Sequence, residues 1–125
     1  MKKIILVEDN RNFKDMVESI VERSLPECTL VMFSSAQKAI AAISSTEKDF
    51  DVLLLDGDLG FGGHGRSVLN TLSPEEIRKV IICSGSDSFI EEAEQKGVSV
   101  FLDKEFLGIR PSKIDEHFLE ILGRI

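Results

Sequence analysis

Leu53-Leu54-Leu55-Asp56-Gly57-Asp58-Leu59-Gly60 runs three leucines straight into an aspartate. An apolar run without polar alternation suits a strand covered on both faces, as in a parallel sheet. Asp-Gly after such a strand is ordinary turn chemistry. A carboxylate at the end of a buried strand can also ligate a metal or accept a phosphoryl group. What stands at the other strand ends decides between these readings.

Around VLLL (52–55) lie four more apolar runs of strand length: IILV (4–7), TLVMF (29–33), VIIC (80–83) and VSVFL (98–102). Segments of helical period separate them. Phe13, Met16, Val17, Ile20 and Val21 fit the i, i+3, i+4, i+7, i+8 template, and Asn10 is placed to cap. Ala36, Ala39, Ile40 and Ile43 repeat the pattern behind Ser34 or Ser35. A short helix is expected from Arg66 to Leu72. Ser88 and Glu91 have capping-box spacing for the next, which Gly97 would end. Ile114, Phe118, Ile121, Leu122 and Ile125 mark a last helix, with Pro111 and Ser112 near its start. The order is (βα)5. Right-handed crossovers fold it into a doubly wound α/β structure, one five-stranded parallel sheet with helices on both faces. Sites in such sheets form beyond the carboxyl ends of the strands.

A chain of 125 residues (1–125) is expected to be one domain with a single core. No apolar run approaches the roughly 20 residues that span a bilayer. MKKIILVEDN starts as a signal peptide does, but Glu8 and Asp9 cut its apolar run short, so a cytoplasmic location is expected. Cys28 and Cys83 flank apolar runs without metal spacing, which favours free thiols over a disulfide. A net charge of −7 and the lack of a basic stripe argue against direct nucleic-acid binding.

Glu8 and Asp9 follow the first strand, Asp56 the third, Ser84 and Gly85 the fourth, and Lys104 the fifth. Three acids, a hydroxyl and a lysine thus converge on one edge of one sheet. ILVEDN, LLLD, IICSG and FLDKEF, in this order and at these strand ends, resemble the motifs of the bacterial response-regulator receiver domain, in its single-domain, chemotaxis-regulator-like form. The resemblance spans essentially the whole chain. It implies the flavodoxin-like strand order 2-1-3-4-5.

It also implies a phospho-acceptor of two-component signalling. Asp56 would take a phosphoryl group from a sensor histidine kinase or a histidine phosphotransfer protein, giving an aspartyl phosphate. Packed carboxylates repel one another, and a hard divalent cation removes the conflict. Mg2+ takes oxygen ligands and also binds phosphoryl groups. Asp9 and Asp56 would ligate it directly, Glu8 through water, and Asp58 through its backbone carbonyl. Lys104 and the metal would stabilise the transferring group. Ser84 would hydrogen-bond a phosphoryl oxygen while Phe101 turns inward, biasing a two-state loop toward a downstream effector. Asp58 and Ser86 occupy positions that tune rates in the family. The resemblance implies a switch rather than an enzyme, although one able to use small phosphodonors and to lose its phosphate unaided. A phosphorylation-dependent dimer stays open, and a membrane partner is not expected.

Each residue has a plainer reading. Asp56 could be a turn residue, Glu8 and Asp9 a helix N-terminal pair on the dipole, Lys104 a solvated lysine, Ser84 a loop residue and Phe101 a core residue. His64, in GFGGHG, reads as an exposed loop histidine, and His117 as a helical residue without a role. Glu91, Glu92 and Glu94 read as a solvated helix face that can also select partners. Four departures from the family pattern stand out. Glu105 replaces the proline that usually follows the lysine, and Gly57 replaces an apolar residue after the acceptor. Asp58 is acidic, and the loop Leu59 to Gly65 lacks its proline, so a mobile loop is expected. Two rival functions follow. One is a phosphorylation-independent interaction module. The other is a phosphatase of the haloacid-dehalogenase type, whose Asp-x-Asp motif Asp56-Gly57-Asp58 resembles.

Overall fold

The computed structural model describes residues 2–102. Lys104, Glu105, His117 and the expected helix from Ile114 to Ile125 lie outside that range. The five strands are β1 (Lys3–Val7), β2 (Thr29–Phe33), β3 (Val52–Leu55), β4 (Val80–Cys83) and β5 (Val100–Leu102). They form one parallel sheet in the order β2-β1-β3-β4-β5, as expected. Between them lie α1 (Arg11–Ser24), α2 (Ala36–Ser45), α3 (Gly65–Leu69), α4 (Pro74–Ile77) and α5 (Asp87–Gln95).

Alternate side chains of each strand supply the two cores, as a period of two requires. Ile4, Leu6, Val52, Leu54, Ile81 and Cys83 pack with Phe13, Val17, Ile20 and Val21 of α1. Ile5, Val7, Leu53, Leu55, Val80 and Ile82 pack with the buried residues of α2, α3, α4 and α5. The central strands β3 and β4 are buried at every position, which is why they carry no polar alternation.

The helix starts follow hydrogen-bonding chemistry, with two corrections to the expected bounds. Asn10 Oδ1 accepts from Phe13 N (3.0 Å) and starts α1; Ser35 Oγ accepts from Lys38 N (3.2 Å) and starts α2. The start of α5 is set by Ser86 rather than Ser88. Ser86 Oγ accepts from Phe89 N (3.4 Å), while Ser88 lies inside the first turn with its hydroxyl against that of Ser86 (3.1 Å). The capping box belongs instead to Ser73 and Glu76, which open α4. α3 stops at Leu69, short of the expected Leu72. The Val68 carbonyl, which Leu72 N–H would need to continue the helix, accepts instead from the amide (3.1 Å) and hydroxyl (2.8 Å) of Thr71. Gly97, at φ +105°, ends α5 as expected.

Candidate functional site

Parallel register puts the first two acids side by side. Val7 pairs with Leu55, so Glu8 and Asp56 are the next residues out of adjacent strands. Asp56 N donates to Val7 O (3.0 Å), and Glu8 N donates to Phe33 O (3.0 Å). Apolar neighbours on both faces then bury these strand ends, leaving Glu8 1% and Asp56 6% exposed. Asp9, at the start of α1, is exposed beside them. Ligand oxygens of Glu8, Asp9 and Asp56 all lie within 4.8 Å of one another.

Fixed hydrogen bonds orient two of these carboxylates. Glu8 Oε1 accepts from Asn10 N (3.0 Å), and Asp56 Oδ1 accepts from Gly57 N (2.8 Å). Crowding two buried carboxylates against a third is costly unless a cation offsets it. An all-oxygen, anionic donor set of this kind suits a hard divalent metal.

Ser84 is buried at the end of β4, and its Oγ accepts from Ser86 N (3.1 Å). Ser86 is exposed and caps α5. Phe101 is half-buried, pairs with Ile82 and packs on the core shared by α2 to α5. Asp58 is exposed; its Oδ1 accepts from Gly60 N (2.9 Å) in a local turn.

The loop after Asp56 is held by hydrogen bonds of its own. Gly60 N to Asp58 Oδ1, Gly62 N to Leu59 O (2.8 Å) and Gly65 N to Gly57 O (2.7 Å) lace it together, and Leu59 is buried beneath it. Gly60 adopts φ +57°, with its β-carbon direction toward Asp9 Oδ2 (3.1 Å), so the loop folds back over the acidic cluster.

Two residues here had not been singled out as functional. His64, read as an exposed loop residue, is half-buried. Its Nδ1 accepts from Arg66 N (3.1 Å) to cap α3, and its ring packs edge-to-face with that of Phe89 (5.0 Å between centroids, 83°). Phe89, 1% exposed, lies over Gly57: a β-carbon on Gly57 would stand 2.7 Å from Phe89 Cδ2. The signal for Phe89 was the unusual glycine itself, whose missing side chain leaves a volume for another residue to fill.

A family model described as "Response regulator receiver domain" matches residues 4–116. A search among curated proteins found no significant match. Solved structures share the fold. The phosphorylated cyanobacterial phytochrome response regulator RcpA is 23% identical, with a TM-score of 0.74, over 98% of this chain and 89% of that one. The Mn(2+)-bound response regulator Rcp1 is 20% identical, with a TM-score of 0.77, over 97% and 91%. A CheY-like receiver domain protein from Methanospirillum hungatei JF-1 is 20% identical, with a TM-score of 0.75, over 99% and 95%. Among the described residues, no helix is long and apolar enough to cross a membrane.

Proposed function

Since the chain belongs to the response regulator receiver domain family, we propose that residues 1–125 form a single phospho-acceptor domain of two-component signalling, with Asp56 as the acceptor. The observation that carries this is the Glu8, Asp9 and Asp56 cluster at the ends of β1 and β3. Its oxygens suit Mg2+, with Asp9 and Asp56 as direct ligands, Glu8 acting through water and Asp58 through its backbone carbonyl. A structural relative carries Mn(2+) and another is phosphorylated, which supports the reading.

When bound, such a cation neutralises the crowded carboxylates and stabilises charge on the transferring group. The bond-making belongs to Asp56. One of its oxygens attacks the phosphorus of a phosphohistidine in line, the P–O bond forms as the P–N bond breaks, and the imidazole leaves with a proton from solvent. The Gly57 N–H on Oδ1 (2.8 Å) keeps the carboxylate oriented for that approach. Lys104, assigned by the family motif, supplies a second positive charge. Ser84 donates its hydroxyl to a phosphoryl oxygen, and Phe101 follows it inward. Asp58 and Ser86 tune rates through the turn and the helix start that they fasten.

The donor is a sensor histidine kinase or a histidine phosphotransfer protein, and the product engages a downstream effector in the cytoplasm; dimerisation on phosphorylation is part of the same test. A haloacid-dehalogenase-type phosphatase is disfavoured, because its second aspartate must serve as a general acid. Here Asp58 is exposed and turned to Gly60 N.

Intact mass after treatment with Mg2+ and a small phosphodonor tests the proposal. One phosphoryl group is expected on the wild type, with none after chelation of the metal and none on Asp56→Asn. No adduct under any condition would overturn it in favour of a phosphorylation-independent interaction module.

A further inference from the structure

We propose that Phe89 is a positioning residue that couples Asp56 to α5, an inference that rests on Asp56 as the acceptor. A β-carbon on Gly57 would point at Phe89, which belongs to the core that Leu53 and Leu55 share with α5. The Phe89 ring fills that space, 2.7 Å from where a Gly57 β-carbon would stand. His64, from the same loop as Gly57, packs edge-to-face with that ring, the centroids 5.0 Å apart. Arg66 then ties that loop to α5 a second time, with Nε 3.2 Å from both carboxylate oxygens of Glu92.

These contacts close a circuit. Ser84 Oγ accepts from Ser86 N (3.1 Å), and Ser86 Oγ accepts from Phe89 N (3.4 Å). The Phe89 ring rests on Gly57, which follows Asp56. A Ser84 hydroxyl drawn to a phosphoryl group therefore pulls on the amide of Ser86. The Ser86 cap and the first turn of α5 follow, and the Phe89 ring shifts over a residue with no side chain to stop it. Packed cores respond to such displacements in discrete steps rather than by bending continuously. Phe89 touches no reacting atom; it passes the change at the acceptor to the helix.

Hydrogen exchange of the α5 amides, with and without the small phosphodonor, tests this, with adduct content fixed by intact mass in the same samples. Wild type is expected to change its α5 exchange on phosphorylation. Phe89→Ala and Phe89→Leu are expected to accept the phosphoryl group while that change shrinks at least about fivefold, the lower end of typical coupling between sites. Ala93→Gly loosens the same helix away from Gly57. It should raise basal exchange and keep the phosphorylation-dependent difference, which separates coupling from plain destabilisation. If far-UV circular dichroism shows that Phe89→Ala does not fold, Phe89→Leu carries the test. Full phosphorylation with a wild-type-sized α5 response in Phe89→Ala or Phe89→Leu would overturn this inference alone. A phosphorylated wild type with unchanged α5 exchange would overturn it too. Failure of the wild type to gain an adduct would overturn the acceptor assignment, and this inference with it.

Discussion

Gly65→Ala should damage this protein far more than its position at the start of a short helix implies. A β-carbon on Gly65 would run into the Asp56 carbonyl oxygen and stand 3.1 Å from its carbon and 3.3 Å from Gly57 Cα. All three are backbone atoms of the acceptor segment, so no rotamer change relieves the clash. The displaced segment also strains the bond from Gly65 N to Gly57 O (2.7 Å). Overpacking of this kind costs about 1–3 kcal/mol, and a backbone neighbour puts it at the upper end. Reduced freedom of the unfolded chain returns about 0.4–1 kcal/mol. The net loss is about 2 kcal/mol, or roughly 8 °C in Tm for a domain of this size. Far-UV circular dichroism is the suitable probe, because the chain has no Trp and no Tyr. Gly85→Ala is the control: a β-carbon there meets nothing within 4 Å, so its effect should stay within about 0.5 kcal/mol. A Gly65→Ala melt within roughly 2 °C of wild type would refute the close approach of α3 to the acceptor backbone.

Mg2+ at about 100 times its dissociation constant should raise stability by about 2.7 kcal/mol, and Asp9→Asn or Asp56→Asn should lose most of that increment in the same melts. Equal increments in both variants would remove these carboxylates from the ligand set. Ser86→Ala should cost about 1 kcal/mol as loss of a helix cap, while Ser88→Ala should cost less; the reverse order in urea titrations would restore Ser88 as the cap. Both cysteines are free thiols, Cys28 half-buried and Cys83 buried, so a thiol reagent should modify Cys28 first and Cys83 at the rate of opening. Equal rates in the native protein would contradict the packing of β4 against α1.

The sheet was legible because its central strands are apolar on both faces and alternate with segments of helical period, a combination that suits a parallel sheet covered by helices. The site was legible for a related reason: residues just past the ends of such strands must meet at one edge, and Val7 paired with Leu55 brings Glu8 beside Asp56. What escaped reading depends on competition between nearby groups. Ser86 and Ser88 are both capable caps, and only the course of the backbone out of β4 chooses between them. Leu72 has the period to extend α3, but Thr71 takes the carbonyl it needs. His64 reads as a polar residue among glycines, and its contact with Phe89 exists only because α5 folds back over the loop.

Gly57 shows the limit most clearly. Read locally, Asp56-Gly57 is a turn, and a turn glycine is there for its backbone. Among the described residues, the glycines with positive φ are Gly60, Gly63 and Gly97, and Gly57 is not among them. Its missing side chain therefore serves packing, because Phe89 takes the space. The two accounts separate in a double-mutant cycle. Under the packing account, Gly57→Ala is costly because its methyl group meets the ring at 2.7 Å, and most of that cost should vanish once Phe89→Leu has removed the ring. The expected coupling is about 1–2 kcal/mol, within the range for residues in contact. Under the turn account, the methyl group strains the backbone whatever lies above it, and the two substitutions add. Additivity within about 0.5 kcal/mol in urea titrations followed by circular dichroism would return Gly57 to the turn and leave the ring of Phe89 resting on it by chance.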